Sequence, residues 1–165
     1  MYKVLLVDDE YMITEGLKRL IPFEKWDMEV VATANHADDA LDYVREHPVD
    51  IVISDVNMPD KTGLEMIGEM KELLPEAYYI LLSGYQEFDY VKKAMNLNVV
   101  DYLVKPVDKV ELEHLLEKVL GQLRGKVHEP EMLSQKLDDE AFKAHLSQKE
   151  NWWIGLSQEK QGDFV

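Results

Sequence analysis

The sequence predicts an α/β protein in which five parallel strands form one sheet with helices on both faces. The first observation is that five short apolar segments of strand length alternate with five segments whose apolar residues recur at helical spacing. The second is that the first and third strand segments are continuous apolar runs, which is typical of strands buried on both faces. Because each right-handed crossover lays its helix back on the sheet, this alternation predicts a parallel, doubly covered sheet.

The strand segments end at residues that favour turns or carry polar groups. The first stops at Asp8-Asp9-Glu10, and the third ends on the carboxylate of Asp55. The fourth leads directly into Ser83-Gly84, and the fifth leads into Lys105-Pro106. The five predicted strands are residues 3–7, 28–33, 51–54, 78–82 and 99–104.

The helix patterns are bounded by prolines and by one helix-start sequence. Pro22, Pro48 and Pro75 end the first three patterns, and Thr62-Gly63 opens the third. The apolar residues of the five predicted helices are, in order, Met12, Ile13, Leu17, Leu20 and Ile21; Ala37, Ala40, Leu41 and Val44; Leu64, Ile67, Met70, Leu73 and Leu74; Phe88, Val91, Ala94 and Met95; and Val110, Leu112, Leu115, Leu116, Val119 and Leu120.

A change of composition divides the chain near residues 121–130, where two glycines and a proline predict a boundary. We therefore expect one domain at residues 1–125 and a spacer at residues 126–165. The apolar residues of the spacer are spaced for a moderately amphipathic helix, and they are Met132, Leu133, Leu137, Phe142 and Leu146. For the apolar cluster Trp152-Trp153-Ile154 we favour docking on the first domain or on a dimer mate over a ligand site. We expect the chain to be a fragment of a longer protein.

Composition limits the classes of function. The chain of 165 residues has 33 acidic and 18 basic residues, a formal charge of -15, which argues against broad contact of this chain with a nucleic-acid backbone. It has no cysteine, so it lacks disulfides, thiolate metal sites and thiol nucleophiles. Neither a secretion signal nor a membrane-spanning segment is visible, and the expected location is the cytoplasm.

Three carboxylates are expected to meet at one edge of the sheet. We adopt the strand order 2-1-3-4-5 from flavodoxin-like sheets, in which the topological switch point lies between strands 1 and 3. Asp8, Asp9 and Asp55 then converge on one crevice, and this oxygen-rich set suits Mg²⁺. The alternative is structural: Asp8 and Asp9 would cap the first helix, with Glu10 in its first turn, and Asp55 would cap its loop. The metal and capping roles of the acidic pair can coexist.

A hydroxyl and an ammonium follow the neighbouring strands. Ser83 ends the fourth strand and Lys105 the fifth, where the lysine stem can lie along the sheet edge while its charge reaches the acidic crevice. A surface lysine before a helix start, with Pro106 near the first turn, is the alternative. Together with the acids, the lysine and the hydroxyl complete a site for a phosphoryl group.

These motifs carry a family resemblance. The acidic pair Asp8-Asp9, the segment DVNMPDKTG with Asp55, Ser83-Gly84 and DYLVKP with Lys105 all lie in order at strand ends. The chain resembles the receiver domain of bacterial two-component response regulators from residue 1 to about residue 125. The runs IPFEKWDMEVVATA and SGYQEFDYVKKAMNLNVVDYLVKPV are further similar to AraC-type (YesN-like) response regulators, which implies the flavodoxin-like receiver fold.

The resemblance implies a role for each matching residue. Asp55 would accept a phosphoryl group from a sensor histidine kinase, with Lys105 and Ser83 on the phosphoryl oxygens. The Mg²⁺ ligands would be the Asp9 and Asp55 carboxylates, the main-chain carbonyl of Asn57, and Asp8 through water. The bond before Pro106 would be cis.

The resemblance also implies the output. Tyr102 would be the switch aromatic that turns inward as Ser83 moves toward the phosphate, although a half-buried strand tyrosine is an open alternative. Phosphorylation would shift the population toward a state that forms a homodimer through the fourth predicted helix, the fifth strand and the fifth predicted helix. Transcription control would pass through a helix-turn-helix DNA-binding domain outside this chain.

Two other functions compete with the transcription-factor receiver. One is a Mg²⁺-dependent phosphatase with Asp8 as the nucleophile, but the first strand motif lacks the spaced second aspartate that such enzymes use as acid and base. The other is a stand-alone protein-binding receiver. The histidines show no ligand spacing and are assigned to solvent or packing: His36, His47, His114, His128 and His145.

Overall fold

The computed structural model describes residues 1–84, 97 and 99–125. The strands are β1 (Tyr2–Val7), β2 (Met28–Ala34), β3 (Ile51–Asp55), β4 (Tyr78–Ser83) and β5 (Asp101–Val104). The helices are α1 (Tyr11–Leu20), α2 (Ala37–Glu46), α3 (Gly63–Leu73) and α4 (Lys109–Gly125), and a short 3₁₀ helix spans Phe23–Trp26. None of these helices is both long and apolar enough to cross a membrane.

The five strands form one parallel sheet in the order β2-β1-β3-β4-β5, which confirms the predicted fold. The chain leaves β1 toward β2 on one side and returns to β3 on the other, so the switch point lies between β1 and β3. In register, Val7 of β1 lies beside Ser54 of β3, and Ser54 lies beside Leu81 of β4. The carboxyl ends of these strands therefore meet at one edge.

Successive strand residues face opposite helix layers. Leu5 and Val7 belong to a buried cluster that includes residues of α2 and α3. Val4 and Leu6, which alternate with them, belong to a second cluster that includes residues of α1 and α4. Because side chains of a strand alternate between faces, a sheet covered on both sides needs apolar residues at every position. The continuous apolar runs of β1 and β3 meet this requirement.

Several boundaries differ from the predicted ones. Helix α4 continues through Gly121 to Gly125, because the buried Leu123 extends its apolar stripe past Gly121. Strand β5 begins at Asp101, two residues later than predicted, although Val99 and Val100 are buried. The 3₁₀ helix was not predicted. The fourth predicted helix, at residues 88–95, and the spacer with its Trp152-Trp153 cluster lie outside the described residues.

Candidate functional site

Polar side chains at the ends of four strands meet at the carboxyl edge of the sheet. Asp8 follows β1, Asp55 ends β3, Ser83 ends β4 and Lys105 follows β5. Asp8 is 1% exposed, Asp55 is 4% exposed and Ser83 is 1% exposed. Within residues 1–84, 97 and 99–125, Asp8 and Asp55 are the only buried carboxylates. Since buried charges are costly unless they are paired, their partners define the site.

Lys105 is the shared partner of both buried carboxylates. Its Nζ lies 2.9 Å from Asp8 Oδ2 and 3.2 Å from Asp55 Oδ1, and its side chain is 20% exposed. One ammonium therefore bridges two carboxylates that come from strands far apart in the sequence. The two carboxylates and the single ammonium leave one negative charge unpaired among these three groups. A further cation or hydrogen-bond donor bound here would therefore be stabilised.

Backbone hydrogen bonds hold the two carboxylates in place. The Glu10 N–H donates to Asp8 Oδ1 at 2.9 Å, and the Asp8 N–H donates to the Ala34 carbonyl at 3.0 Å. The Asn57 N–H donates to Asp55 Oδ1 at a longer 3.4 Å. Asp8 thus uses both carboxylate oxygens, whereas the described contacts of the Asp55 carboxylate all fall on Oδ1.

Burial weakens the ionised forms of both aspartates. It raises the pKa of the Asp55 carboxyl to about 7, with the charge of Lys105 acting against the rise and the charge of Asp8 adding to it. Burial also raises the pKa of Asp8, against the hydrogen bonds from Glu10 and Lys105. Burial alone would lower the pKa of Lys105, but its hydrogen bond to Asp8 and the charge of Asp55 outweigh burial and raise it. An added cation would favour the ionised form of Asp55.

The ends of β4 and β5 are joined beside this ion pair. The Lys105 N–H donates to the Ser83 carbonyl at 2.8 Å, while the Ser83 hydroxyl donates to the Gly84 carbonyl at 2.9 Å. The peptide bond between Lys105 and Pro106 is cis, the geometry that the resemblance implied. Tyr102 is 2% exposed and belongs to the cluster on the α2 and α3 face, so its side chain lies inside the fold and is more than half-buried.

The acidic group at the start of α1 fits Mg²⁺ by the chemistry of its donors. Ligand oxygens of Asp8, Asp9 and Glu10 all lie within 4.8 Å of one another, with Asp8 buried and the other two exposed. Mg²⁺ takes oxygen ligands and keeps several waters, which exposed carboxylates allow. Glu10 was not among the predicted ligands. The sequence assigned it to the first helical turn, whereas it is the extended residue that precedes α1.

The capping alternative for the acidic pair finds limited support in these contacts. The residue at the N-cap position of α1 is Glu10, and its side chain makes no capping hydrogen bond. Asp8 accepts a bond from the Glu10 N–H, which lies outside the helix. The carboxylate of Asp8 therefore serves the turn before α1 and the ion pair with Lys105.

The loop between β3 and α3 carries Asn57, another predicted site residue. The Asn57 side chain is exposed. Farther along the loop, the Lys61 N–H donates to the Pro59 carbonyl at 2.8 Å across Asp60, whose φ is 69°, and this three-residue turn reverses the chain. Thr62 then caps α3 in a capping box with Glu65. The loop therefore ends close to where it began, with the first residue of α3 bonded to the residue that follows β3.

The comparison with protein families decides the identity. Residues 4–117, more than half of the chain, match the family described as the response regulator receiver domain. The chain belongs to the response regulator receiver family. The predicted resemblance is confirmed, and the receiver domain is a signalling domain of two-component systems. Receiver domains generally bind Mg²⁺ at an acidic pocket.

Similar proteins agree with this assignment. An uncharacterized response regulatory protein of Staphylococcus epidermidis is 39% identical over 128 residues, which cover 78% of this chain and 50% of that protein. The transcriptional regulatory protein HptR of Staphylococcus aureus is 37% identical over 123 residues, covering 74% of this chain and 48% of HptR. The receiver chain thus spans about half the length of the curated relatives it matches.

Solved structures give the same fold. The receiver domain of AraT, a response regulator from Geobacillus stearothermophilus, has a TM-score of 0.73 and 38% identity, and the match covers 77% of this chain and 98% of that one. A two-component transcriptional regulator AraC from Clostridium phytofermentans has a TM-score of 0.71 and 26% identity, with 78% and 100% covered. This receiver is therefore similar to receivers of AraC-type regulators.

Proposed function

We propose that this receiver accepts a phosphoryl group on Asp55 from a sensor histidine kinase. The observation that carries the proposal is the Lys105 ammonium, 3.2 Å from Asp55 Oδ1 and 2.9 Å from Asp8 Oδ2 at the carboxyl edge of the sheet. A partly buried cation beside a buried carboxylate can pair with one of the phosphoryl oxygens.

The transfer uses Asp55 as the nucleophile. A carboxylate oxygen of Asp55 attacks the phosphorus of a phosphohistidine, a new P–O bond forms, and the P–N bond breaks with its electron pair retained by the imidazole. The described contacts of Asp55 lie on Oδ1, which supports Oδ2 as the attacking atom. Lys105 stays charged because its pKa is raised by Asp8 and Asp55 despite burial, so it can neutralise a phosphoryl oxygen.

The acidic group supports a Mg²⁺ site. When bound, Mg²⁺ supplies positive charge that offsets the charge of the phosphoryl oxygens. The carboxylates of Asp9 and Asp55 and the main-chain carbonyl of Asn57 would hold it, with Asp8 acting through water. Glu10 lies within the same group of carboxylates and is a further candidate ligand.

Ser83 and Tyr102 form the proposed switch. Turning the Ser83 hydroxyl from the Gly84 carbonyl to a phosphoryl oxygen would pull on the end of β4, which is bonded to the Lys105 N–H. Tyr102 lies on β5, three residues before Lys105. The packing of its side chain would change when the end of β4 moves. The phosphorylated state would then favour a homodimer through β5, α4 and the fourth predicted helix, whose residues lie outside the described part.

The proposed output is control of transcription from the cytoplasm. Residues 1–125 would be the receiver and residues 126–165 a helical spacer, followed by a helix-turn-helix domain outside this chain. The support is that the similar protein HptR is described as a transcriptional regulatory protein and that the match covers 48% of it. The acidic receiver itself would not contact DNA.

A phosphatase with Asp8 as nucleophile has less support. Asp8 is 1% exposed, its Oδ1 accepts the Glu10 N–H and its Oδ2 is paired with Lys105. A nucleophilic attack from Asp8 would require loss of one of these contacts. Asp55 keeps an oxygen available without such a loss.

Phosphate labelling tests the nucleophile. The protein is incubated with acetyl phosphate and Mg²⁺, and the label is mapped by mass spectrometry in wild type, Asp55→Asn and Asp50→Asn. We expect one label, on Asp55, in wild type and Asp50→Asn and none in Asp55→Asn, because Asp50 lies at the opposite end of β3. Label on Asp8, or catalytic turnover of phosphomonoesters, would contradict the proposed receiver mechanism.

Oligomeric state tests the switch. Beryllofluoride, a mimic of the phosphoryl group, is added with Mg²⁺, and the molar mass is measured by light scattering. We expect a shift toward dimer in wild type and no shift in Asp55→Ala. An equal response from both proteins would count against Asp55 as the control point.

A further inference from the structure

The first residue of α3 lies directly against the main chain of Asp55. A Cβ atom on Gly63 would lie 2.1 Å from the Asp55 carbonyl oxygen, 3.0 Å from the Asp55 carbonyl carbon and 3.1 Å from the Val56 Cα. Real Cβ atoms essentially never come within 3.0 Å of such atoms, and backbone cannot yield as a flexible side chain can. Any side chain at position 63 must therefore push two backbone segments apart.

The β3 side of this contact is fixed. All five residues of β3 are buried, and the strand is paired with β1 and β4. The Asp55 carbonyl also accepts the Ser54 hydroxyl at 2.9 Å, and the Val56 N–H donates to the Leu82 carbonyl at 2.9 Å. The displacement caused by a side chain at 63 would therefore fall on α3 and on the loop of residues 56–62.

That loop is closed by Gly63 itself. The Gly63 N–H donates to the Val56 carbonyl at 2.8 Å, so the loop starts and ends at one hydrogen bond. Asn57 follows Val56 and donates its N–H to Asp55 Oδ1 at 3.4 Å. The capping box of Thr62 and Glu65 fixes where α3 begins and hence where Gly63 lies. Moving Gly63 would move Asn57 relative to the Asp55 carboxylate.

We propose that Gly63 is a positioning residue for the site. Its missing side chain lets α3 contact the Asp55 main chain, and this contact holds the Val56-Asn57 segment against the Asp55 carboxylate. The inference rests on the proposed function insofar as Asp55 and the Asn57 carbonyl bind Mg²⁺. Gly63 acts only through the backbone of these residues.

Matched variants exist within α3. A Cβ at Gly68 would meet nothing within 4 Å, so Gly68→Ala makes the same chemical change in the same helix without a clash. Ile67 is 0% exposed, so Ile67→Ala lowers stability by loss of core packing without adding an atom beside Asp55. Thr62→Ala removes the cap and loosens the first turn of α3 without adding an atom.

The experiment measures Mg²⁺ affinity by titration of backbone amide resonances, at a temperature where circular dichroism shows each variant folded. We expect Gly63→Ala to bind Mg²⁺ at least tenfold more weakly than wild type, and Thr62→Ala about threefold more weakly. Gly68→Ala and Ile67→Ala should stay within twofold of wild type. If Gly63→Ala does not fold, Thr62→Ala decides, and an unchanged affinity in that variant overturns the proposal.

Other outcomes also overturn it. One is a Mg²⁺ affinity of Gly63→Ala within twofold of wild type. Another is an equal loss of Mg²⁺ affinity in Ile67→Ala, which would assign the effect to stability. The third is a wild-type protein that does not bind Mg²⁺. Failure of the proposed function is distinguishable, because it would appear as Mg²⁺ binding that is normal in wild type and weakened in Gly63→Ala, with no acetyl-phosphate label on Asp55 in any variant.

Discussion

Strand β3 is bracketed by two aspartates with opposite surroundings. At its amino end, Asp50 is partly exposed, and its Oδ2 accepts the Lys3 N–H at 2.8 Å. The Asp50 main chain also bonds to both neighbouring strands, to the Lys3 carbonyl at 2.9 Å and to the Tyr78 N–H at 2.9 Å. At its carboxyl end, Asp55 is 4% exposed and shares one ammonium with a second buried acid. The same residue type therefore joins strands at one end and, at the other, carries a buried charge that one shared ammonium compensates only in part.

This difference separates a structural acid from the proposed phosphoryl acceptor. The Asp50 carboxylate is partly exposed and accepts a neutral backbone donor, the Lys3 N–H. Asp55 is held in a site that disfavours its charge, which raises its pKa to about 7. The buried charge of Asp55 lowers the free energy of unfolding of the metal-free protein. A ligand that brings positive charge to this edge of the sheet raises it again. Four predictions test this contrast.

The largest effect is expected from removing the shared cation. Lys105→Met leaves two buried carboxylates without their partner, and we expect the free energy of unfolding at pH 8 to fall by about 3 to 5 kcal/mol. The measurement is urea unfolding of the metal-free protein. The matched control is Lys3→Met, because Lys3 bonds to Asp50 through its main-chain N–H and carbonyl, which the substitution keeps; its effect should stay within about 0.5 kcal/mol. Similar losses in both variants would contradict the contrast.

Removing the charge of Asp55 is expected to stabilise the protein. The pKa rises from 3.8 to about 7 on folding, and each unit corresponds to about 1.4 kcal/mol. Asp55→Asn should therefore raise the free energy of unfolding of the metal-free protein at pH 8 by about 2 to 4 kcal/mol. Urea unfolding measures it. Asp50→Asn is the control and should bring no gain, and destabilisation by Asp55→Asn would show that its charge is well compensated.

The pH dependence has a defined sign. Because folding raises the pKa of Asp55, the folded state binds the proton more tightly than the unfolded state. The contribution of Asp55 to stability is fully present below pH 3.8 and is lost as the pH rises through about 7. Between pH 5 and pH 7, metal-free wild type should lose about 2 kcal/mol relative to Asp55→Asn. Parallel stability curves for the two proteins would contradict this assignment.

The smallest effect is expected at the amino end of β3. Asp50→Ala removes the hydrogen bond to the Lys3 N–H but leaves the main-chain bonds of residue 50 intact. We expect a loss of about 1 kcal/mol in the free energy of unfolding, with phosphorylation of Asp55 unchanged. Thermal unfolding and acetyl-phosphate labelling measure the two quantities. Loss of labelling in Asp50→Ala would show that the two ends of β3 are coupled.

The fold followed from local sequence patterns. Continuous apolar runs at β1 and β3 and helical periodicity between the strands specify the layers, because a doubly covered sheet imposes both patterns. The convergence of Asp8, Asp55, Ser83 and Lys105 followed from the rule that parallel strands end at one edge, together with the strand order adopted from flavodoxin-like sheets. Their chemical roles remain predictions.

What the sequence did not predict depends on close contacts and short turns. The approach of Gly63 to the Asp55 carbonyl leaves no periodic pattern, and a glycine at a helix start has several explanations. Gly121 resembled a helix end, but the buried Leu123 continues the helix past it. The 3₁₀ helix at Phe23–Trp26 has four residues, too few for a hydrophobic period to be recognised.

The ion pair between Asp8 and Lys105 joins residues separated by 97 positions in the chain. Contacts of such long sequence separation form late, because the entropy of closing the intervening chain is lost before the contact can stabilise anything. During synthesis, a chain that has made β1 and β3 but not β5 holds its acidic residues without their lysine. The ion pair at the proposed phosphorylation site therefore exists only in a molecule in which β5 is in place.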